Sequence, residues 1–149
     1  MKAGPTLILS TLLGLSQALQ LTDKSWSSCE GHRAVNIVDI SPCDAEPCVL
    51  AQGKKYTVSM SGENGENTVD DVHLNVDGYF AGWVRLADEL VCGLSLACPV
   101  EPRGKWTLDY TWAVDDSFPL GQSQQTKWLL VGNSGVAELG CANILVTIE

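Results

Sequence analysis

Six cysteines constrain the fold of this chain more than any other feature of its 149 residues. An even number of cysteines in a short secreted chain predicts a disulfide framework. The residues are Cys29, Cys43, Cys48, Cys92, Cys98 and Cys141. Six cysteines allow about fifteen pairings, and the sequence alone does not choose among them. Proximity favours two short loops, Cys43–Cys48 and Cys92–Cys98, and these would leave Cys29 with Cys141.

The first eighteen residues predict the oxidising compartment that such a framework needs. Met1-Lys2 is a short positive start, and Leu7–Leu15 is an apolar run too short to span a bilayer. Small residues then follow at Ser16-Gln17-Ala18, as signal peptidase requires. We interpret residues 1–18 as a secretory signal peptide, the alternative being a buried helix. Residues 19–149 then form a single domain, expected to be soluble because no later apolar stretch could span a membrane.

Charge and ligand spacing exclude several kinds of partner. The chain has 18 acidic and 9 basic residues, for a net charge of −9. This balance argues against a nucleic-acid partner, whose phosphates require a basic face, and against a polybasic membrane anchor. The chain has no Cys-x-x-Cys pair, and its histidines are His32 and His73. We therefore expect disulfides and no metal site.

Apolar and polar residues alternate with the period of two that is typical of half-buried strands. This pattern covers 56–61, 71–77, 106–114 and 142–148, with further β-rich runs at 35–40 and 127–131. Turn signals such as Asp77-Gly78 and Pro102-Arg103-Gly104 separate the runs. Short strands with one apolar face each predict an all-β fold, an antiparallel β-sandwich.

The sequence offers no residues for a catalytic site. It contains no GxSxG, HExxH, P-loop or GxGxxG motif. Two adjacent acidic pairs, Asp70-Asp71 and Asp115-Asp116, would point to opposite faces of a strand and cannot form a carboxylate dyad. Six paired cysteines would leave no thiol nucleophile. We therefore predict that the chain is not an enzyme and uses no cofactor.

The run at 106–114 carries an unusually heavy apolar face. Its members are Trp106, Leu108, Tyr110, Trp112 and Val114. These side chains have two interpretations. They could be ordinary sandwich core, or Tyr110 and Trp112 could wall a ligand cavity between the sheets, since ligand pockets are mostly apolar.

Several motifs together resemble the ML lipid-recognition domain family. Ser41-Pro42-Cys43 and Pro47-Cys48 are similar to its S-P-C-x-x-x-P-C segment, and Gly53–Tyr56 follows as in that family. The run Cys92–Pro99 is similar to its C-x5-C-P loop. Tyr110-Thr111-Trp112 followed by Phe118-Pro119 is similar to another family step. The resemblance runs from about Cys29 to the C-terminus.

The resemblance implies a fold, a disulfide pattern and a ligand class. It implies an immunoglobulin-like sandwich of two sheets with an apolar pocket between them, and no catalytic activity. The implied ligand is a sterol, a fatty acid or another lipid. The implied disulfides are Cys29–Cys141, Cys43–Cys48 and Cys92–Cys98. The implied pocket residues are Ile40, Val84, Val114, Phe118 and Pro119.

The chain departs from the family's vertebrate sterol carriers in two ways. The loop expected at 78–91, before Cys92, contains no proline where those carriers are proline-rich, which bears on the pocket entrance. The chain also has no Asn-x-Ser/Thr sequon, which favours secretion into extracellular fluid over the lysosome.

Three functions remain open from the sequence. The leading one is a soluble, monomeric lipid carrier. The second is an innate-immune module that recognises a lipid together with a receptor. The third is a disulfide-rich interaction protein with a filled core and no lipid ligand. Tyr79, Phe80 and Trp83 are either ordinary strand-end residues or an apolar lip for transient contact with a membrane or receptor.

Overall fold

The computed structural model describes residues 18–149, so the predicted signal peptide lies outside the described residues except for Ala18. The described chain forms ten strands and one short 3₁₀ turn at Asn133–Gly135. The strands are β1 Leu19–Gln20, β2 Trp26–Ser28, β3 Ile37–Ser41, β4 Cys48–Leu50, β5 Lys55–Glu63, β6 His73–Tyr79, β7 Trp83–Leu90, β8 Lys105–Ala113, β9 Ser123–Gly132 and β10 Ala137–Ile148. No helix in this part of the chain is long and apolar enough to cross a membrane.

The strands pair into two sheets. The smaller sheet has the order β1-β3-β5-β8, and the larger has the order β2-β10-β9-β6-β7. All of these pairs are antiparallel, and β4 adds one parallel pair along β10. The predicted all-β sandwich of two sheets is therefore confirmed.

The core lies between the sheets and follows the alternation in the sequence. On the smaller sheet, cross-strand registers place Ile40 opposite Val58 and Val58 opposite Tyr110, so one buried row crosses three strands. The larger sheet contributes the opposing apolar face. Its buried members include Leu74, Val76, Trp128, Leu130, Ala142, Ile144, Val146 and Ile148. Burial of these two faces against each other drives the sandwich together.

Three disulfides tie the described chain. Cys29 is bonded to Cys141, Cys43 to Cys48, and Cys92 to Cys98, and none of the six cysteines is free. These are the pairs that the family resemblance implies. The first spans 112 residues and joins the end of β2 to the last strand. In the chain-entropy model, closing a loop of this length contributes about 5 kcal/mol to stability.

The structure differs from the sequence interpretation at residues 83–90. This stretch was expected to be a loop before Cys92, but it is the edge strand β7, paired with β6. A register shift between Val76 and Asp77 interrupts the ladder. Because of this bulge, the side-chain alternation changes phase within β7, and no clean period of two is visible in the sequence.

Candidate functional site

A cleft of about 400 Å³ opens between the two sheets, where the edge strands β7 and β8 face each other. Its volume lies within the range of about 300–1,000 Å³ that is usual for small-molecule sites. Residues from both strands and from the loop after β8 line it. They are Val84, Arg85, Leu86, Ala87, Glu89, Tyr110, Thr111, Trp112, Ala113, Asp115, Ser117 and Phe118.

The cleft begins where the loop between Cys92 and Cys98 stops covering β8. The loop between Cys92 and Cys98 runs beside the first half of β8, where Leu96 bridges Leu108. The backbone N–H of Asp109 donates to the carbonyl of Ser95 at 2.9 Å. The cleft is lined by β8 residues from Tyr110 onward. The disulfide loop therefore closes one part of the sandwich edge and leaves the next part open.

Three aromatic rings form the inner wall of the cleft and the core behind it. Trp112 of β8 packs at right angles against Trp128 of β9, with ring centroids 5.3 Å apart and an interplanar angle of 88°. Tyr110 also meets Trp128 edge-on, at 5.9 Å. The indole N–H of Trp128 donates to the hydroxyl of Thr126 at 2.8 Å, so this buried ring has a polar partner. Edge-to-face packing of this kind fixes ring orientation beyond what burial alone does.

A pair of phenylalanines joins the two sheets at one end of the cleft. Phe80 lies at the tip of the β6–β7 hairpin, and its ring centroid is 5.8 Å from that of Phe118 in the loop after β8. Phe118 is in turn 5.9 Å from Trp112. The side-chain amide of Gln52 holds the loop in place by donating to the carbonyls of Asp116 at 2.9 Å and Phe118 at 2.7 Å.

The edge position of β7 leaves its inward-facing side chains open to solvent. Val84 pairs with Gly78, and Glu89 pairs with Leu74, and both partners are buried inner-face residues of β6. Val84 is nevertheless 49% exposed. An edge strand whose inner face is not covered by the opposite sheet provides an apolar opening into the sandwich.

The site residues expected from the sequence divide into two groups. Val84, Tyr110, Trp112 and Phe118 come together around the cleft. Ile40 and Val114 are buried in the core at about 1% exposure and are not among the residues that line the cleft, and Pro119 is exposed beside Phe118.

Sequence reasoning missed Glu89 and considered Asp115 only as part of an adjacent acidic pair, and both residues line the cleft. The Glu89 carboxylate lies beside the hydroxyl of Tyr110. Burial, with this carboxylate nearby, raises the pKa of Tyr110 to about 12, so the phenol stays neutral. Glu89 and Tyr110 are on different sheets and 21 positions apart in the sequence, so no local pattern could have paired them.

A larger concavity, of about 440 Å³, lies on the outer face of the larger sheet. Polar side chains of three neighbouring strands, Asp77, Lys127 and Asn143, form much of its surface. They alternate with buried inner-face residues, so this concavity faces away from the core. Trp83 also lines this concavity but is 50% exposed, whereas the aromatic rings behind the cleft are packed against one another, so we take the cleft as the candidate site.

Comparison with protein families gives one match that spans the domain. A family model described as the ML domain matches residues 23–148. A mouse protein named NPC intracellular cholesterol transporter 2 is 29% identical over 117 residues, which is 76% of each chain.

Two solved structures share the fold at low sequence identity. A Niemann-Pick type C2 protein from the Japanese carpenter ant superposes with a TM-score of 0.70 and 19% identity, covering 83% of this chain and 98% of its own. Chicken MD-1, solved in complex with lipid IVa, superposes with a TM-score of 0.54 and 11% identity, covering 87% of this chain and 95% of its own. These two likenesses concern the fold.

Proposed function

Because the chain belongs to the ML-domain family, a family of lipid-binding and transport proteins, we propose that it holds a lipid between β7 and β8 as a soluble carrier and has no catalytic role. The observation that carries this proposal is the cleft itself. It is an opening at the sandwich edge that leads to a wall of packed aromatic rings. The ligand would be a sterol, a fatty acid or a similar apolar molecule.

Burial of apolar surface supplies the binding free energy in this proposal. A lipid that buries about 300 Å² of apolar surface gains about 7 kcal/mol from burial, before the costs of association and ordering are subtracted. Val84, Leu86 and Phe118 offer apolar contact at the mouth, and Trp112 offers it deeper in. The mouse relative, named as a cholesterol transporter, supports a sterol among the candidate ligands.

We also propose that the protein is secreted. The six cysteines are all bonded in pairs, which favours an oxidising compartment. The N-terminal sequence has the pattern of a signal peptide, and extracellular fluid remains the proposed destination.

Binding of a fluorescent sterol to a matched pair of variants tests the proposed site. Val84→Trp adds bulk at the mouth of the cleft, where Val84 is 49% exposed. The larger side chain should prevent the sterol from making some of its contacts at the mouth. We expect the affinity for the sterol to fall by about tenfold, which corresponds to a loss of about 1.4 kcal/mol of binding free energy. The measurement is a titration followed by energy transfer from tryptophan.

Val136→Trp is the control, because it makes the same substitution at a site 86% exposed and outside the cleft lining. Its affinity should equal that of the original protein. Unchanged sterol binding by a folded Val84→Trp variant would contradict the assignment of the cleft. Failure of the original protein to bind any sterol or fatty acid would contradict the carrier function as a whole.

A further inference from the structure

The ionisable side chains that line the cleft carry more negative than positive charge. These side chains are those of Arg85, Glu89, Asp115 and Tyr110. Arg85 is already engaged, since its guanidinium binds Asp77 through Nε and lies 3.8 Å from Asp88 through Nη1. The charge of Arg85 is therefore largely balanced by carboxylates outside the cleft lining. Glu89 and Asp115 remain in the lining, and neither has a basic partner within ion-pair distance among residues 18–149.

Glu89 is held at the inner side of β7. Its backbone pairs with Leu74, a fully buried residue of β6, so the two side chains share the face that turns toward the opposite sheet. Across the cleft is Tyr110, which is only 6% exposed. The Tyr110 phenol stays neutral beside the Glu89 carboxylate, and a carboxylate has lone pairs that can accept a hydrogen bond from a ligand.

Asp115 adds a second negative charge at the cleft. The backbone N–H of Ser117 donates to Asp115 Oδ1 at 2.7 Å. Hydrogen bonds from Ser117 hold the pKa of Asp115 below its usual value, so this group stays ionised at neutral pH. A ligand that enters the cleft therefore meets negative charge from both β7 and the loop after β8.

We propose that Glu89 makes the cleft selective for lipids whose polar end is an uncharged hydroxyl and disfavours lipids that end in an ionised carboxylate. This inference rests on the proposed function and narrows its ligand class. A hydroxyl donates a hydrogen bond to Glu89, whereas a carboxylate has no proton to donate and is repelled by Glu89 and Asp115. Selectivity of this kind is a difference between two affinities, and it arises from the unfavourable pairing as much as from the favourable one.

Two ligands with the same apolar tail and different polar ends show how much the polar end contributes to affinity. The test measures direct binding of radiolabelled hexadecan-1-ol and hexadecanoate at pH 7.5, below the concentration at which either aggregates. We expect the alcohol to bind about tenfold more tightly than the carboxylate, the size of effect given by like charges a few ångströms apart in a partly screened site.

Glu89→Gln keeps the shape of the side chain and removes its charge. In this variant we expect the affinity for hexadecanoate to rise and the ratio between the two ligands to fall to about threefold, because Asp115 remains. Glu63→Gln is the matched control. It makes the same substitution at the exposed end of β5, outside the cleft lining. The ratio in this variant should equal that of the original protein.

The outcomes distinguish this inference from the proposed function. Equal binding of the two ligands by the original protein would overturn the selectivity and leave the carrier function standing. A ratio that does not change in Glu89→Gln, or that changes equally in Glu63→Gln, would also overturn the role of Glu89. Binding of neither ligand, and of no sterol, would overturn the carrier function and the selectivity together.

Discussion

Asp39 carries a carboxylate that its surroundings do not satisfy. It lies in the middle of β3, and its Oδ1 atom is buried without a hydrogen-bond partner among the described residues. Ser59 lies between Asp39 and Asp109 in the cross-strand register, and it donates to Asp109 rather than to Asp39. Burial, with Asp109 as a second cause, raises the pKa of Asp39. The folded state therefore binds the proton of Asp39 more tightly than the unfolded state does.

Replacement of Asp39 by Asn should stabilise the protein at neutral pH. A raised folded-state pKa means that ionisation of Asp39 costs stability as the pH rises through that pKa, and that the cost vanishes in acid. Asp39→Asn removes the charge, so we expect a gain of about 0.5 kcal/mol at pH 7 and none near pH 3. Urea unfolding at the two pH values measures the difference.

Asp44→Asn makes the same change at an exposed position and should alter stability little at either pH. A loss of stability in Asp39→Asn at pH 7 would show that the carboxylate has a stabilising partner.

Among the secondary-structure elements, one buried tryptophan of β8 brings the two sheets into close contact. The indole of Trp106, in β8, lies between Gly62 of β5 and Gly140 of β10, and so contacts both sheets. A Cβ atom at position 62 would lie 2.6 Å from Trp106 Cζ2, and one at position 140 would lie 2.8 Å from the same atom. Glycine is required at both positions because the ring occupies the space of a side chain.

The Gly62→Ala substitution should therefore destabilise the fold. Trp106 is 3% exposed, so its ring cannot shift without disturbing its buried neighbours. We expect a loss of about 1–3 kcal/mol, the usual effect of overpacking a core. Thermal unfolding checks this, with Ser61→Ala as the control because Ser61 precedes Gly62 on the opposite face of β5. Equal stability of Gly62→Ala and the original protein would mean that the indole is free to move.

The sequence predicted those elements whose two faces differ clearly in burial. In β8, every second residue from Trp106 to Trp112 is buried, and the alternation alone indicated this strand and its inner face. In β7 neither face is fully buried, and a bulge shifts the phase, so the strand had no signature. The contact of β4 with β10 is parallel and joins residues about 100 positions apart, and no local pattern encodes it.

The alternation in the sequence also predicted only those residues of the candidate site that lie on a strand with a clear apolar face. Tyr110 and Trp112 stood out in the sequence because they belong to the heavy face of β8. Their alternative interpretations, core or cavity wall, are not exclusive in the structure, since both side chains are nearly buried and both line the cleft. Glu89 stayed hidden because its role depends on how two separate sheets approach each other.

At the scale of the whole molecule, the sandwich is tied at one end and open at one edge. The Trp106 contact holds the two sheets together away from the cleft, and the Cys29–Cys141 disulfide ties the end of β2 to β10 within the larger sheet. The open edge between β7 and β8 is the place where the apolar interior meets solvent. This division lets one part of the fold bear the stability while the other binds a ligand, which we propose to be a lipid.

Mass spectrometry of lipids extracted from the protein, purified from the medium of cells that secrete it, tests whether the bound ligand is a lipid. A mock purification and the Val84→Trp variant serve as controls. We expect one defined lipid class near a one-to-one ratio with the protein, enriched over the mock sample and depleted in Val84→Trp. The absence of any enriched lipid, followed by no uptake of added sterol, alcohol or fatty acid, would contradict the proposal of a lipid ligand and favour a filled-core interaction protein.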